Sequence, residues 1–218
     1  MLIFTIFSMC MDKNTVNNVD NGYSGNANLN YSKLKGIRIL MVIAPKDFRD
    51  EELLIPMEIF KKNGCIVEVV STKKGECIGM LGHKIMVNKT IYEVNSKDYD
   101  AIVIVGGTGS PKYLWDNEEL HKLVKSFYNE GKVVSAICLS PVVLAKSGIC
   151  KGKKLTVYPT KDSIEEIEKY GGIYINNAVV SDGNIITASG PKEAKIFAYT
   201  ILNRILINYM PTKINRTD

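Results

Sequence analysis

The sequence lacks a long hydrophobic run, a paired cysteine pattern and a concentrated patch of charge, and each absence excludes a class of protein. No stretch of its 218 residues approaches the roughly 20 apolar residues that a spanning helix needs, so we expect no membrane partner. The five cysteines are odd in number and lack metal-binding spacing, so we expect no disulfide framework and no metal site. The net charge of +5 rests on scattered basic residues, which favours no nucleic-acid partner.

The composition is otherwise that of an ordinary globular protein, with 45% hydrophobic and 23% charged residues. These fractions exclude collagen-like, coiled-coil and wholly disordered chains. Cysteines without a disulfide framework indicate a reducing compartment, so we expect a cytoplasmic protein.

Residues 1–34 differ in composition from the rest of the chain. Residues 1–11 form a short apolar run, and residues 12–32 contain seven asparagines and little that could build a core. We interpret residues 1–34 as a disordered tail, or as the product of a start codon placed too far upstream, with Met11 as one alternative start. Because Cys10 lies beside the apolar run, a weak anchor or an export signal is another interpretation. We predict a single domain over residues 35–212.

From residue 35 onward, hydrophobic segments typical of strands and of helices alternate. Strands are predicted at 37–43, 66–70, 101–105, 132–137 and 155–157, and helices at 50–62, 116–130, 141–147, 161–170 and from near Pro191. The glycine-punctuated stretch 74–89 predicts an irregular segment or a small hairpin, and Asp182-Gly183 predicts a hairpin over 179–187. This order predicts an α/β fold with a doubly wound, mostly parallel sheet and helices on both faces.

The segment from Ala136 to Pro141 is the first of three candidate sites at the carboxyl ends of the predicted strands. A hydrophobic strand ends there and a proline suited to the first turn of a helix follows, so Cys138 lies on a strand–turn–helix junction. Ala136 and Ser140 flank Cys138 as glycines flank the serine of a nucleophile elbow. Such a turn points the amide groups and the positive end of the helix at the sulfur, which favours thiolate over thiol. We therefore predict that Cys138 is a nucleophile.

The glycine turn 106–109 is the second candidate, since it follows the predicted strand 101–105 directly. Its backbone amides are free to face an anion or a developing oxyanion. It has neither the dinucleotide-binding spacing nor the lysine of a phosphate-binding loop, so we expect no nucleotide cofactor. We expect this turn to supply oxyanion donors to Cys138.

The third candidate is an acidic cluster at the start of the first predicted helix, formed by Asp47, Asp50, Glu51 and Glu52. Most acids at a helix start cap the helix or interact with its dipole, which is our interpretation of Asp50 and Glu51. Glu52 precedes an apolar stretch, so we expect it to face inward. Near the Cys138 sulfur its carboxyl would have to stay protonated, and burial would raise its pKa accordingly.

Four segments together resemble the PfpI/ThiJ superfamily. They are Phe-Arg-Asp-Glu-Glu-Leu-Leu-Ile-Pro at 48–56, Val-Gly-Gly at 105–107, Ala-Ile-Cys at 136–138 and Tyr-Pro at 158–159. This superfamily, named after an intracellular protease, shares a flavodoxin-like fold with class I glutamine amidotransferases and includes a deglycase. The resemblance covers residues 35–207 and implies the same fold here.

The resemblance implies that Cys138 is the nucleophile and that Glu52 is the acid that hydrogen-bonds it. In the protease-named branch a histidine directly follows the cysteine and is proposed as the general base, whereas this chain has Leu139 there. The two histidines of the chain, His83 and His121, fall in a glycine-flanked loop and at a helix start, where we expect ordinary surface roles. A cysteine–histidine peptidase is therefore disfavoured.

The resemblance also implies the remaining site residues. The oxyanion donors would be the backbone amides of Gly107 and Leu139, and the substrate-binding residues would be Tyr158, at the mouth of the site, and Gly106. The deglycase branch carries an arginine near its last glycine-proline, where this chain has Ser189. An anion-binding or dimer-contact role of that arginine is therefore not expected here.

We expect a cysteine-dependent stress protein that acts on reactive carbonyls, such as glyoxal, methylglyoxal and their protein adducts, by hydrolysis of the glyoxalase or deglycase type. Its partner would be a small carbonyl compound or a modified protein, and no metal or organic cofactor would be needed. One alternative is a non-enzymatic redox sensor or chaperone-like protein that works through oxidation of Cys138. A binding module and an intracellular cysteine peptidase are further alternatives. The resemblance also implies a homo-oligomer, either a dimer or a hexamer.

Overall fold

The computed structural model describes residues 31–209. The strands are β1 (Arg38–Val42), β2 (Lys46–Phe48), β3 (Ile66–Val70), β4 (Gly75–Gly79), β5 (Lys84–Val87), β6 (Ala101–Ile104), β7 (Val133–Ile137), β8 (Lys154–Leu155), β9 (Ile173–Tyr174), β10 (Val179–Asp182) and β11 (Ile185–Ala188). The α-helices are α1 (Asp50–Lys62), α2 (Gly109–Tyr113), α3 (Glu118–Asn129), α4 (Pro141–Lys146), α5 (Lys161–Lys169) and α6 (Ala194–Tyr209). Short 3-10 helices lie at Tyr31–Leu34, Ile91–Glu93, Ser96–Asp98 and Pro191–Glu193.

A six-stranded sheet in the order β10-β11-β7-β6-β1-β3 forms the centre of the fold. All neighbouring strands in it are parallel except β10 and β11, which form an antiparallel hairpin. Helix α1 packs against α6, helix α3 packs against α4, and both pairs contact the sheet. The prediction of a doubly wound, mostly parallel sheet with helices on both faces is confirmed.

The central strands are continuous apolar runs because both of their faces are covered. Every residue of β6 is buried, and β1 is buried from Ile39 onward. The parallel register places Val42 beside Ile104, and Ile104 beside Ala136. The loops that follow β1, β6 and β7 therefore leave the sheet at one edge, where the ligand sites of open α/β sheets lie.

A second sheet, in the order β2-β4-β5, contains the hairpin that was predicted as one alternative for residues 74–89. The carboxylate of Asp50, at the start of α1, ties this hairpin to the helix, because it accepts the backbone N–H groups of Leu81 and His83, each at 2.8 Å. Strand β2 was not predicted, since its three residues carry no hydrophobic run.

Several predicted elements differ from the structure by one residue at an end, and two differ by two residues. The strand predicted at 155–157 stops at Leu155, because the N–H of Thr156 donates to the side-chain hydroxyl of Thr187 at 2.9 Å and not to a backbone carbonyl of a neighbouring strand. The helix predicted at 116–130 begins at Glu118, where the Asn117 side chain caps it by accepting the N–H of Leu120.

The predicted tail over residues 1–34 lies outside the described residues except at its end. There, Tyr31–Leu34 is helical, Leu34 is fully buried, and the Tyr31 hydroxyl donates to the Asn203 side chain of α6 at 2.6 Å. Residues of the core are therefore present before the predicted boundary at residue 35, because the apolar side chain of Leu34 is buried. Within residues 31–209 no helix is long and apolar enough to cross a membrane.

Candidate active site

Cys138 lies on the turn between β7 and α4 in a conformation that side chains other than glycine rarely adopt. Its φ is +60°, which costs free energy and persists only where neighbouring groups hold the backbone. Two hydrogen bonds do so: the Cys138 N–H donates to the Ala188 carbonyl at 2.9 Å, and the Cys138 carbonyl accepts the N–H of Tyr158 at 2.8 Å. The strained turn that was predicted from the sequence is therefore present.

Ser140 connects this turn to the loop that follows β6. Its hydroxyl donates to the Val105 carbonyl at 2.7 Å, and the Ser110 hydroxyl lies 2.8 Å from it. Because a carbonyl can only accept, the Ser140 proton points to Val105, and Ser110 donates to Ser140. The loops after β6 and β7 are thus joined under the Cys138 turn by buried hydroxyl groups.

Glu52 reaches the same place from the first turn of α1 and is fully buried. Its Oε2 accepts the N–H of Gly106 at 3.0 Å. A Cβ atom on Gly106 would lie 2.6 Å from both Cys138 Cβ and Glu52 Oε2, so only glycine lets the two side chains meet. Glu52 Oε1 has no hydrogen-bond partner of normal geometry within residues 31–209, and the Cys138 thiol faces this carboxyl.

Burial controls the protonation of Glu52. It raises the pKa of this carboxyl to about 8, while the Cys138 thiol, the Gly106 N–H and the positive charge of Arg49 act in the opposite direction. Glu52 is therefore largely protonated at neutral pH, as expected from an inward-facing carboxyl.

The expectation of a lowered thiol pKa at Cys138 is wrong for this chain. Burial and, to a lesser extent, the negative charge of ionised Glu52 raise the pKa of Cys138 to about 12, although the backbone amides of Gly107 and Leu139 act in the opposite direction. The carboxyl and the thiol titrate as a pair. When Glu52 is protonated, its charge no longer opposes the thiolate and its O–H can donate to the sulfur.

The two predicted oxyanion donors both lie at the sulfur. Their N–H groups contact the Cys138 side chain, and Gly107 has a φ of +103°, which favours glycine. A Cβ atom on Gly107 would also lie 2.4 Å from the Asp47 carbonyl. The glycine turn therefore approaches β2 too closely for any side chain at this position.

An open cleft of about 740 Å³ gives access to the sulfur. Cys138, Gly107, Leu139 and Tyr158 are on its wall, and the Tyr158 side chain is exposed at its mouth. Gly106, which was predicted to contact the substrate, does not line this cleft, because it packs between Cys138 and Glu52. Its part in the site is to permit that contact.

Three further residues of the site were not singled out from the sequence. Arg49 lines the cleft, and its guanidinium binds the Glu51 carboxylate through two hydrogen bonds of 2.7 and 2.9 Å. The hydrogen bond to Glu51 raises the pKa of Arg49, so this cation is permanent. Lys192 also lines the cleft, and Trp115 contacts the Cys138 turn from outside it. Arg49 lies in the 48–56 segment that carries the resemblance, whereas the sequence neighbours of Lys192 and Trp115 show no pattern that would have indicated these positions.

Neither histidine lines the cleft. The His121 ring is 2.8 Å from the Trp115 carbonyl, so it has a structural partner and is not simply a surface residue. Within residues 31–209, no group of three or more His, Cys, Asp or Glu side chains is arranged to hold a metal ion. The groups that meet at the Cys138 sulfur are a thiol, a buried carboxyl and backbone amides.

Comparison with known proteins agrees with the fold. The model of the DJ-1/PfpI family matches residues 37–204. The chain is 61% identical to the protein MJ0967 of Methanocaldococcus jannaschii over 83% of this chain and 88% of that protein. It is 32% identical to the deglycase PfpI of Pyrococcus furiosus, over 70% of this chain and 90% of that protein. The crystal structure of a ThiJ/PfpI domain protein from Brachyspira murdochii is similar, with a TM-score of 0.75, 30% identity, and coverage of 81% of this chain and 99% of that one.

Proposed function

This chain belongs to the DJ-1/PfpI family, and from that premise we propose that it hydrolyses small reactive carbonyl compounds through the Cys138 thiolate. The observation that carries the proposal is the meeting of three groups at one sulfur: a strained cysteine, a protonated carboxyl, and the amides of Gly107 and Leu139. Relatives such as the P. furiosus protein are named deglycases, which supports carbonyl chemistry. The position of these groups on an open cleft supports a small-molecule or adduct substrate.

The first step is the addition of Cys138 to the aldehyde carbon of a 1,2-dicarbonyl such as methylglyoxal. The Cys138 thiol loses its proton to water, the resulting thiolate sulfur forms a bond to this carbon, and the aldehyde oxygen takes up a proton to give a hemithioacetal. Protonated Glu52 supplies that proton to the new oxyanion, and the amides of Gly107 and Leu139 stabilise its charge before transfer.

The second step moves the proton of the former aldehyde carbon to the neighbouring carbonyl carbon. Ionised Glu52, the product of the first step, accepts this proton and delivers it to the neighbouring carbon, while the hydroxyl proton of the hemithioacetal passes to the neighbouring oxygen. The product is a thioester of a 2-hydroxy acid. Water then cleaves this thioester, releasing lactate from methylglyoxal and regenerating the Cys138 thiol. One carbon is oxidised and its neighbour is reduced, so the sequence needs no external oxidant or cofactor.

The proposal is tested by lactate formation from methylglyoxal under multiple-turnover conditions. We expect lactate in excess over enzyme, no turnover with Cys138→Ala, and a kcat about 100-fold lower with Glu52→Gln. Cys65→Ala is the matched control, because this buried free thiol lies away from the cleft. Equal lactate yields from wild type and Cys138→Ala would refute the proposal.

Oxidation sensing through Cys138 is the second candidate, and one observation favours it. Glu52 Oε1 lacks a partner of normal geometry, and its protonated form could donate to an oxygen of a cysteine sulfinate. Two molecules of hydrogen peroxide would oxidise the thiolate to sulfinate and be reduced to water. A mass increase of two oxygens at Cys138, in a protein without dicarbonyl turnover, would select this candidate. The peptidase alternative lacks a histidine in the cleft.

The proposal extends to the setting of the protein, a cytoplasmic stress response. Four cysteines within residues 31–209 are free thiols, which agrees with a reducing compartment. We infer a homo-oligomer, a dimer or a hexamer, without nucleic-acid or membrane partners. Light scattering of the purified protein measures this state directly.

A further inference from the structure

Trp115 contacts the turn that carries Cys138, although it lies in the connection between α2 and α3. Its indole N–H donates to the Leu139 carbonyl at 2.8 Å, and the bond is partly buried. Leu139 is the residue whose own N–H faces the Cys138 sulfur. The residue that follows the nucleophile is therefore held by a side chain that lies outside the cleft.

Trp115 is itself fixed on both sides of its backbone. Its N–H donates to the Ser110 carbonyl at 3.1 Å, and its carbonyl is 2.8 Å from His121 Nε2. Because a carbonyl only accepts, His121 Nε2 carries a proton, and burial lowers the pKa of this ring. Ser110 of α2 also donates to Ser140 of the Cys138 turn. The segment between β6 and α3 therefore holds that turn at two points, Ser140 and Leu139.

We propose that Trp115 is a positioning residue, which holds the Leu139 peptide groups so that the Leu139 N–H stays directed at the Cys138 sulfur. The carbonyl before Leu139, that of Cys138, accepts the N–H of Tyr158, and the carbonyl after the Leu139 Cα is held by Trp115. With both flanking peptides fixed, the Leu139 N–H keeps its direction. The inference rests on the proposed nucleophilic function of Cys138, but it does not depend on the identity of the substrate.

The test is the rate of Cys138 alkylation by iodoacetamide as a function of pH, with peptide mapping to isolate Cys138. Trp115→Phe keeps an aromatic ring and removes the N–H donor. We expect this variant to react about 3- to 10-fold more slowly at a fixed pH near neutrality, the size of one lost hydrogen bond. The pH of half-maximal reaction should also rise, because an unsupported Leu139 N–H stabilises the thiolate less.

Asn117→Ala is the matched control, since it removes the cap of α3 two residues away without touching the indole bond. This variant should lose thermal stability and keep the alkylation profile of the wild type. A Trp115→Phe profile that superimposes on the wild type would overturn the proposal, whatever its stability. Failure of wild-type dicarbonyl turnover would refute the proposed substrate and leave this result unaffected.

A second measurement needs no variant at position 115. Trp115 is the single tryptophan of the chain, so its fluorescence reports only on this loop. Alkylation of Cys138 in the wild type should shift the emission, and Cys138→Ala should show no shift. An unchanged emission spectrum after complete alkylation would also contradict the proposed coupling.

Discussion

Glu52 and Cys138 together determine the charge that the site carries. Either group alone would be costly to ionise in a buried position, and two adjacent negative charges would repel each other. The raised pKa of Glu52 avoids this, because a neutral carboxyl places no second negative charge beside the sulfur when the thiol loses its proton for reaction. Burial therefore has two effects: it raises the pKa of the Cys138 thiol, and it keeps the neighbouring Glu52 carboxyl protonated, so that Glu52 can act as an acid.

A neutral buried carboxyl makes the stability of the protein depend on pH in a defined direction. Below an ordinary glutamate pKa of 4.5, Glu52 is protonated in both the folded and the unfolded chain, so its ionisation does not affect the free energy of unfolding. As the pH rises towards 8, the unfolded chain releases this proton and the folded chain keeps it, so the free energy of unfolding falls. Replacing Glu52 with Gln removes this dependence. We expect the free energy of unfolding of Glu52→Gln, measured relative to the wild type, to increase by about 3 kcal/mol from pH 5 to pH 8.

Urea unfolding at the two pH values measures this difference. Glu58→Gln is the control, since Glu58 lies on the same helix but is exposed and paired with Lys62. Its difference from the wild type should stay nearly constant between the two pH values. A Glu52→Gln difference that is equally constant would mean that Glu52 is ionised in the folded protein.

The proximity of Cys138 and Glu52 could be predicted from the sequence, because for each residue a motif coincides with a recognisable place in the fold. Cys138 and Glu52 meet because each lies beside a recognisable element end, a strand–turn–helix junction for one and the first helical turn for the other. Trp115 and Leu139 are 24 residues apart, and their contact depends on the path of two loops. No local pattern encodes that contact. The thiol pKa could not be predicted either, because it depends on the burial of the sulfur.

At the scale of elements, alternating hydrophobic segments predicted the strands of the central sheet and the helices that pack against it. Register then placed the functional loops, since parallel pairing aligns the ends of β1, β6 and β7. The small β2-β4-β5 sheet was harder to predict, because its strands are short and rich in polar residues or glycine. Its position depends on a tertiary contact, the Asp50 carboxylate.

Asp50 should therefore stabilise the β4–β5 hairpin. Replacing it with Ala leaves the N–H groups of Leu81 and His83, whose bonds to Asp50 are partly buried, without their acceptor. We expect the free energy of unfolding to fall by about 3 kcal/mol, the range for hydrogen bonds to a charged group. Amide hydrogen exchange at these two residues should accelerate more than exchange in β6.

Asp162→Ala provides the comparison for this prediction. Asp162 also lies in the first turn of a helix, α5, but it is exposed, so its loss should change stability by less than about 0.5 kcal/mol. The hairpin carries Met80 on the cleft wall, and Asp50→Ala should also weaken substrate binding. Equal stability losses in the two variants would show that Asp50 acts only on the helix dipole.

At the scale of the whole molecule, the chain packs one continuous core from Leu34 to Leu206. The change in composition predicted a domain that begins at residue 35. It did not predict that the side chain of Leu34, just before this boundary, belongs to the core. Leu34 is fully buried, and Tyr31–Leu34 contacts α6, the last helix of the fold. The two ends of the described chain therefore stabilise each other across the molecule.

This packing predicts a sharp difference between two shortened chains. A chain that begins at Tyr31 keeps the 3-10 helix and its bond to Asn203, whereas one that begins at Lys35 loses the burial of Leu34 as well. The loss of a buried leucine side chain costs about 1.5 to 3 kcal/mol, so the shorter chain should unfold at clearly lower urea concentration. Both chains retain Cys138, and both should react with iodoacetamide at the same rate while folded. Equal unfolding midpoints for the two chains would instead place the boundary of the stable domain at residue 35, because the four residues that distinguish the chains would then contribute nothing to the core.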